Sequence, residues 1–291
     1  MTSSGNSISA PDAVLDTTAQ HSAEVEAGQR FEFGRNWRRF LRHVDETRVH
    51  YSTTALQDLL GVKDLTGKTF LDVGSGSGLS SLAAARLGAR VTSFDYDPQS
   101  VAASEELRRR FHNGREPWVI GVGSALDAAF LKSLGTFDVV YSWGVLHHTG
   151  EMYRAIENVL QCVRPGGIIA IAIYNDQGVW SKRWARVKRF YCGSELGKAV
   201  ALGTIVPYWV TRGLVSDLIR LRNPTTRYRE YRRKRGMSFA NDWVDWLGGW
   251  PFEVAKPEAI FRWFQERGYT LLNLTTAGGT MGCNEFVFRR S

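Results

Sequence analysis

From residue 69 onward the chain alternates two hydrophobic spacings. Short runs rich in β-branched and aromatic residues at 69–73, 90–94, 118–122, 137–143 and 168–174 read as strands. Between them, 79–87, 99–111 and 152–163 carry apolar residues at helical spacing. Strand and helix in strict alternation predict a parallel sheet with crossover helices. Pro165-Gly166-Gly167 forces a turn before 168–174, a run apolar enough to lie buried on both faces. Farther on, Lys256-Pro257-Glu258 begins a helix that Gly268 ends, and 269–275 and 285–289 read as two closing strands joined by a Gly-rich turn. Upstream, Val49, Leu56, Leu59 and Leu60 predict a helix over 45–60, stopped by Gly61.

Residues 1–28 are rich in Ser, Thr, Ala and Gly and lack the apolar core of a secretory signal, which predicts a flexible tail. The expected organisation is then an N-terminal helical cap (29–64), a ligand-binding core (65–177), a helical insertion (178–250) and a closing helix with two strands (251–291). In the insertion the apolar stretch from Ala199 to Leu221 is expected to break at Pro207. The 291 residues suit one elaborated domain.

Charge is uneven. Residues 178–236 hold fifteen Lys/Arg against three Asp/Glu, a local +12 within a net +8, so the rest of the chain is acidic at −4. Cys162, Cys192 and Cys283 follow no ligand or disulfide spacing, which points to a reducing cytoplasm and to no metal site. No apolar run approaches the roughly 20 residues of a membrane span.

The chemistry begins at Leu71-Asp72-Val73-Gly74-Ser75-Gly76-Ser77-Gly78, where a strand gives way to a helix, the edge at which parallel sheets bind ligands. Ser75 belongs to this loop. The glycines alternate as Gly74, Gly76 and Gly78, unlike the dinucleotide G-x-G-x-x-G, and Asp72 precedes them. A carboxylate there disfavours a pyrophosphate and favours a ligand carrying positive charge. At the end of the next strand, in Ser93-Phe94-Asp95-Tyr96-Asp97, Asp95 can accept ribose hydroxyls, ahead of Asp97, with Tyr96 beside it. Ser124 and Ala125 follow the third strand, where a base would lie, and Trp143 ends the fourth.

Asp72-x-Gly74-x-Gly76-x-Gly78, Asp95, Phe137-Asp138-Val139-Val140 and Arg164-Pro165-Gly166-Gly167 together resemble the successive motifs of class I S-adenosylmethionine-dependent methyltransferases over about residues 65–175. The resemblance implies an α/β, Rossmann-like, mostly parallel seven-stranded sheet with the helical insertion before its last two strands. S-adenosylmethionine is then the cofactor, with Asp72 and Gly74 near its methionine part, Asp95 at the ribose and Ser124 and Ala125 at the adenine. Ser124 departs from the Asp that many members place there.

Methyl transfer needs alignment, and a hydroxyl acceptor must also lose a proton. His147 and His148 follow the fourth strand and are the candidate bases, either one facing the acceptor; in ubiquinone-pathway O-methyltransferases, which this segment resembles, a histidine falls at the place of His148. The other reading gives one histidine a capping role and the other a packing role. Tyr174, Asn175, Trp250 and, from the cap, Trp37 are candidates for the acceptor wall, with Phe31 and Arg35 beside Trp37 and Trp243, Trp246 and Phe252 beside Trp250.

The expected activity is methylation of an oxygen on a small or lipid-like metabolite such as a phenol, quinone precursor or sugar. RNA methylation and non-catalytic cofactor binding are the alternatives. In the insertion, Trp180, Trp184 and Tyr191 interleave with Lys182, Arg183, Arg186, Lys188 and Arg189, and 227–235 carries six Arg/Lys. That pattern suits a lid, a peripheral contact with an anionic membrane, or a nucleic-acid backbone, in that order of preference, and a solvated decoration is the plain alternative. The sequence leaves the oligomeric state open.

Overall fold

The computed structural model describes residues 8, 11–114, 116–219, 223 and 246–291. Seven strands, β1 (Thr69–Val73), β2 (Arg90–Asp95), β3 (Trp118–Val122), β4 (Phe137–Trp143), β5 (Val163–Tyr174), β6 (Tyr269–Thr275) and β7 (Cys283–Arg290), form one sheet in the order β3-β2-β1-β4-β5-β7-β6. Pairs from β3 through β5 are parallel, and β7 lies antiparallel between β5 and β6. The fold is the expected Rossmann-like one.

Among the described residues, three α-helices precede the sheet: α1 (Pro11–Glu26), α2 (Phe33–Phe40) and α3 (Glu46–Leu60). Asp45 caps α3 by accepting from the Arg48 N–H, and Gly61 ends it at φ 66°. The crossovers are α4 (Leu79–Arg86), α5 (Pro98–Phe111), α6 (Ala128–Leu134) and α7 (Met152–Leu160). In the insertion, α8 (Val179–Gly193) and α9 (Glu195–Ile219) precede α10 (Pro257–Gln265).

Strand alternation splits the core into two layers. In β1, Phe70 packs with Leu56, Leu82 and Leu107 of α3, α4 and α5, whereas Leu71 and Val73 pack with Leu131, Ile156 and Phe264 of α6, α7 and α10. Asp72 shares the Phe70 side and so faces α4. Because β1 is flanked by β2 on one side and β4 on the other, the crossovers diverge at its carboxyl end and leave a crevice there.

Three expectations are corrected. Within the supposed tail 1–28, residues 11–26 form α1, held by polar contacts that a count of apolar residues does not register. His21 is buried edge-on against Tyr96, and Glu24 binds Arg30 at 2.7 Å and the Tyr96 hydroxyl at 3.1 Å. Helix α9 runs through Pro207, because Gly203 and Pro207 lie on its exposed side, where water can reach the carbonyl left without its N–H partner. The turn at Pro165-Gly166-Gly167 is a bulge inside β5, where the pairing with β4 jumps from Phe137↔Val163 to Val139↔Ile168. Residues 227–235 and Trp243 lie outside the described residues.

At the opposite edge from the crevice, Asp138 ties three strands together. It accepts from the Thr69 N–H and hydroxyl, both at 2.9 Å, and pairs with Arg164 at 2.6 Å and Lys68 at 3.7 Å. Burial alone would raise its pKa; the Thr69 hydrogen bonds and the two cations outweigh it and hold the carboxyl below its usual range. A depressed folded-state pKa contributes stability above the unfolded value that is lost as pH falls. Asp138→Asn should therefore lower stability at neutral pH by roughly 1–3 kcal/mol. In urea unfolding, the gap from the parent should narrow below about pH 4.

Candidate active site

The crevice widens into a cavity of about 770 Å³ that runs from the β1–α4 loop past the carboxyl end of β4 to the 277–283 turn. Gly74 and Gly76 have φ of 77° and 55°, and a side chain on either would also meet a wall: at Gly74 a Cβ would collide with the Val145 side chain, and at Gly76 it would lie 3.0 Å from the Trp37 indole nitrogen. The loop backbone is thus pressed between the β4 loop and the cap. Gly78 sits behind it, capping α4 against Ser104 and outside the cavity lining.

Of the carboxyls that line this space, Asp72 and Asp95 flank the glycine loop. Asp72 takes a 2.6 Å hydrogen bond from the Ser81 hydroxyl, and burial pushes its pKa up to about 7. Asp95 accepts from the Gly76 N–H at 2.8 Å and the Asp97 N–H at 2.9 Å, and burial likewise raises it to about 7. Each carboxylate oxygen keeps a second lone pair after one such bond, so Asp95 can still receive a pair of hydroxyls. Asp97 is spent elsewhere, on the Gly34 N–H at 2.7 Å and the Gln99 N–H at 2.8 Å, which fastens α2 to the start of α5.

At the far end, the short turn Leu146–His148 buries both histidines. His148 lines the cavity, and its Nδ1 lies 2.6 Å from the Pro251 carbonyl. A carbonyl only accepts, so Nδ1 carries the proton and Nε2 the lone pair. Burial first, and then the nearby Lys188 charge, lower its pKa to about 3, so the ring is neutral at physiological pH. His147 is fully buried behind it, outside the cavity lining; its Nδ1 faces the Tyr174 N–H at 3.4 Å and its Nε2 has no hydrogen-bond partner. Burial, foremost, holds its pKa well below the usual histidine value. Among the described residues no cluster of His, Cys, Asp or Glu has the makings of a metal site.

The methyltransferase domain family matches residues 71–171, the stretch that carries the loop, both carboxyls and the histidines. A ubiquinone biosynthesis O-methyltransferase of Methylocella silvestris is 32% identical over 184 residues, 58% of this chain and 70% of that protein. The chain belongs to the class I S-adenosylmethionine-dependent methyltransferases. An uncharacterized methyltransferase of Mycobacteroides abscessus is 31% identical over 134 residues, covering 46% of this chain and 50% of that protein. The chain spans about half to two-thirds of the length of these first curated relatives. An O-methyltransferase family protein of Burkholderia thailandensis shares the fold, with a TM-score of 0.53 at 14% identity over 96% of this chain and 70% of its own.

The donor set fits S-adenosylmethionine, the cofactor of this family. A buried carboxyl whose ionisation is poised near neutrality is suited to a ligand that brings an ammonium with it, and Asp95 has the spare acceptor capacity for a ribose diol. Ser75, Tyr96, Ser124, Ala125 and Trp143 of the expected cofactor set line the same cavity. Ser124 spends its hydroxyl oxygen on the Leu126 N–H at 3.2 Å, and the Trp143 indole donates to Glu285 at 3.0 Å. From the expected acceptor wall, Trp37 and Tyr174 line the cavity.

Three expected residues stand elsewhere. His147 has its ring behind Tyr174, at 4.0 Å between centroids, and so cannot reach an acceptor. Asn175 lines a smaller adjoining cavity, where it bonds Thr280 and Asn284 and holds the 277–283 turn. Trp250 packs into the insertion's own small core, and Trp246 takes its place in the wall.

Residues that sequence reasoning did not assign include Arg30, Phe33, Val145 and the 280–283 turn. Arg30 donates to the His148 carbonyl at 3.0 Å while its guanidinium lies 4.8 Å from the Tyr96 ring centre. The Gly-rich composition of 278–282 was the available signal for that turn, and its approach to the active edge follows only from β7 pairing with β5.

Because Asp72 and Asp95 have pKa values raised to about 7, both lose charge as pH falls through that value. Affinity for S-adenosylhomocysteine, measured by calorimetry, should weaken as pH drops from about 8 to 6, approaching ~10-fold per unit per carboxyl. Asp72→Asn should bind weakly at every pH and flatten the profile.

Proposed function

We propose that the protein transfers the methyl group of S-adenosylmethionine to an oxygen of a small or lipid-like metabolite with an aromatic ring. The carrying observation is that the neutral, tautomer-fixed His148 opens on the same cavity as the Asp72 and Asp95 carboxyls. When bound, the cofactor supplies an electrophilic methyl carbon. Asp72 and Asp95 hold its charged and hydroxyl ends, and the Gly74–Gly76 backbone admits it closely. His148 Nε2 receives the acceptor O–H, orients the oxygen and takes its proton as the new bond forms. Phe31, Phe33, Trp37, Tyr174 and Trp246 exclude water and suit a flat apolar acceptor. The O-methyltransferase relative supports oxygen as the atom methylated.

The insertion suits delivery from a membrane surface. Trp180, Phe190, Leu196, Leu218 and Ile219 are exposed on α8 and α9, beside exposed Lys182, Arg183, Arg186 and Arg189. Exposed apolar and basic side chains on these two helices suit the interface of an anionic bilayer. No described helix is long and apolar enough to cross a membrane.

Labelled methyl from S-adenosylmethionine should enter the lipid or small-metabolite fraction of a cell extract; label made soluble by nuclease would refute this reading in favour of RNA. His148→Ala should lower kcat by roughly 10²-fold or more while leaving S-adenosylhomocysteine affinity intact. Sedimentation with phosphatidylglycerol vesicles should deplete the protein from solution and weaken with added salt; equal binding to neutral phosphatidylcholine would exclude the charge-matched surface.

A further inference from the structure

Among the described residues, the carboxyls lining the large cavity are those of Asp72, Asp95, Asp97 and Glu285. Asp72 and Asp95 flank the cofactor loop, and Asp97 is bonded to the Gly34 and Gln99 N–H groups. Glu285, on β7, has neither role. One of its oxygens, Oε1, takes the Trp143 indole N–H at 3.0 Å, and Oε2 accepts no hydrogen bond among the described residues.

The sheet sets where this carboxylate stands. Trp143 on β4, Ala172 on β5 and Glu285 on β7 pair in one row across three strands. Ala172 carries only a methyl group, so the indole can cross β5 to reach the carboxylate. The row on one side holds Asp72, Tyr141, Ala170 and Val287, and the row on the other holds Tyr174 and Cys283. Asp72 is thus three strand spacings from Glu285, ~14 Å between backbones. An ammonium held at Asp72 leaves Glu285 unoccupied. Tyr174 is one strand over and one row along, ~7 Å along the strand, and points to the same face as Ala172 and Glu285. The His148 ring packs edge-on against Tyr174, with 5.4 Å between centroids.

Among the described residues, Arg30 is the one Lys or Arg in the lining of this cavity, and it is paired with Glu24 at 2.7 Å. Lys188 lines the smaller cavity, where it donates to the Trp246 carbonyl. A carboxylate that faces an aromatic cavity is stabilised by a ligand that brings a cation to it. An indole beside the carboxylate adds the attraction of a ring face for the same cation.

We propose that Glu285 and Trp143 form an ammonium subsite at the acceptor end of the cavity, so that the acceptor is a phenol carrying a protonated amine. This rests on the methyl-transfer reading and names its substrate class. The ammonium donates to Glu285 Oε2 while the phenol O–H is presented to His148 Nε2, one row along the sheet. Two contacts at opposite ends of the ring fix its angle to the methyl donor. A phenol without the amine fits the same aromatic wall but is held at one end only. Glu285 touches the acceptor away from the reacting atoms and selects which phenol is used.

The test compares tyramine with 4-ethylphenol, which has the same ring and arm without the ammonium. Binding is measured by calorimetry on the full-length protein saturated with S-adenosylhomocysteine. Tyramine should bind about tenfold more tightly or better. Glu285→Gln should abolish that preference by weakening tyramine alone, with the affinities for 4-ethylphenol and S-adenosylhomocysteine retained. The glutamine keeps an oxygen for the Trp143 indole, so a Glu285 that merely fastened Trp143 would leave the preference intact in this variant. That result would overturn the proposal, as would wild-type protein that binds the two phenols equally, prefers 4-ethylphenol or binds neither. Wild-type protein that fails to bind S-adenosylhomocysteine would instead refute the methyl-transfer reading, a readout separate from the choice between phenols.

Discussion

The geometry of the site hangs on one carboxylate that has no part in the chemistry. Asp97 takes the Gly34 N–H on one oxygen and the Gln99 N–H on the other, so a single buried side chain joins the N-terminal cap to the start of α5. Charge-assisted bonds of this kind are roughly twice as strong as neutral ones. Phe31, Phe33 and Trp37 flank that anchor in sequence, and their rings become cavity wall only because α2 is held there. Without it the cavity would keep its glycine loop and lose its roof.

Much of the cofactor half was legible because its signals are local. A strand, three alternating glycines and a preceding acid are contiguous from Asp72 to Gly78, and their position at the end of a strand fixes which edge they occupy. Asp95 lies one strand later at the same edge. The acceptor half was less so, because it is assembled from distant segments. His147 and His148 are adjacent, and nothing in their neighbours shows which will meet Pro251, 103 residues beyond His148. The exchange of Trp250 for Trp246 has the same origin, in the packing of a loop from a different part of the chain. Helix α1 escaped notice because its anchors, His21 to Tyr96 and Glu24 to Arg30, are polar contacts specific to the folded state.

Desolvation ties the two halves together. The same exclusion of water raises the pKa values of Asp72 and Asp95 to the edge of neutrality and keeps His148 uncharged. A cationic ligand then favours the ionised form of the two carboxyls, and the neutral histidine keeps the acceptor end free of a competing positive charge.

Arg30 spans this division, resting on Tyr96 at one end and bonded to the His148 carbonyl at the other. One guanidinium thus fixes two walls of the cavity that lie 52 residues apart in sequence, and a displacement of the Tyr96 ring would be felt at the turn that carries His148.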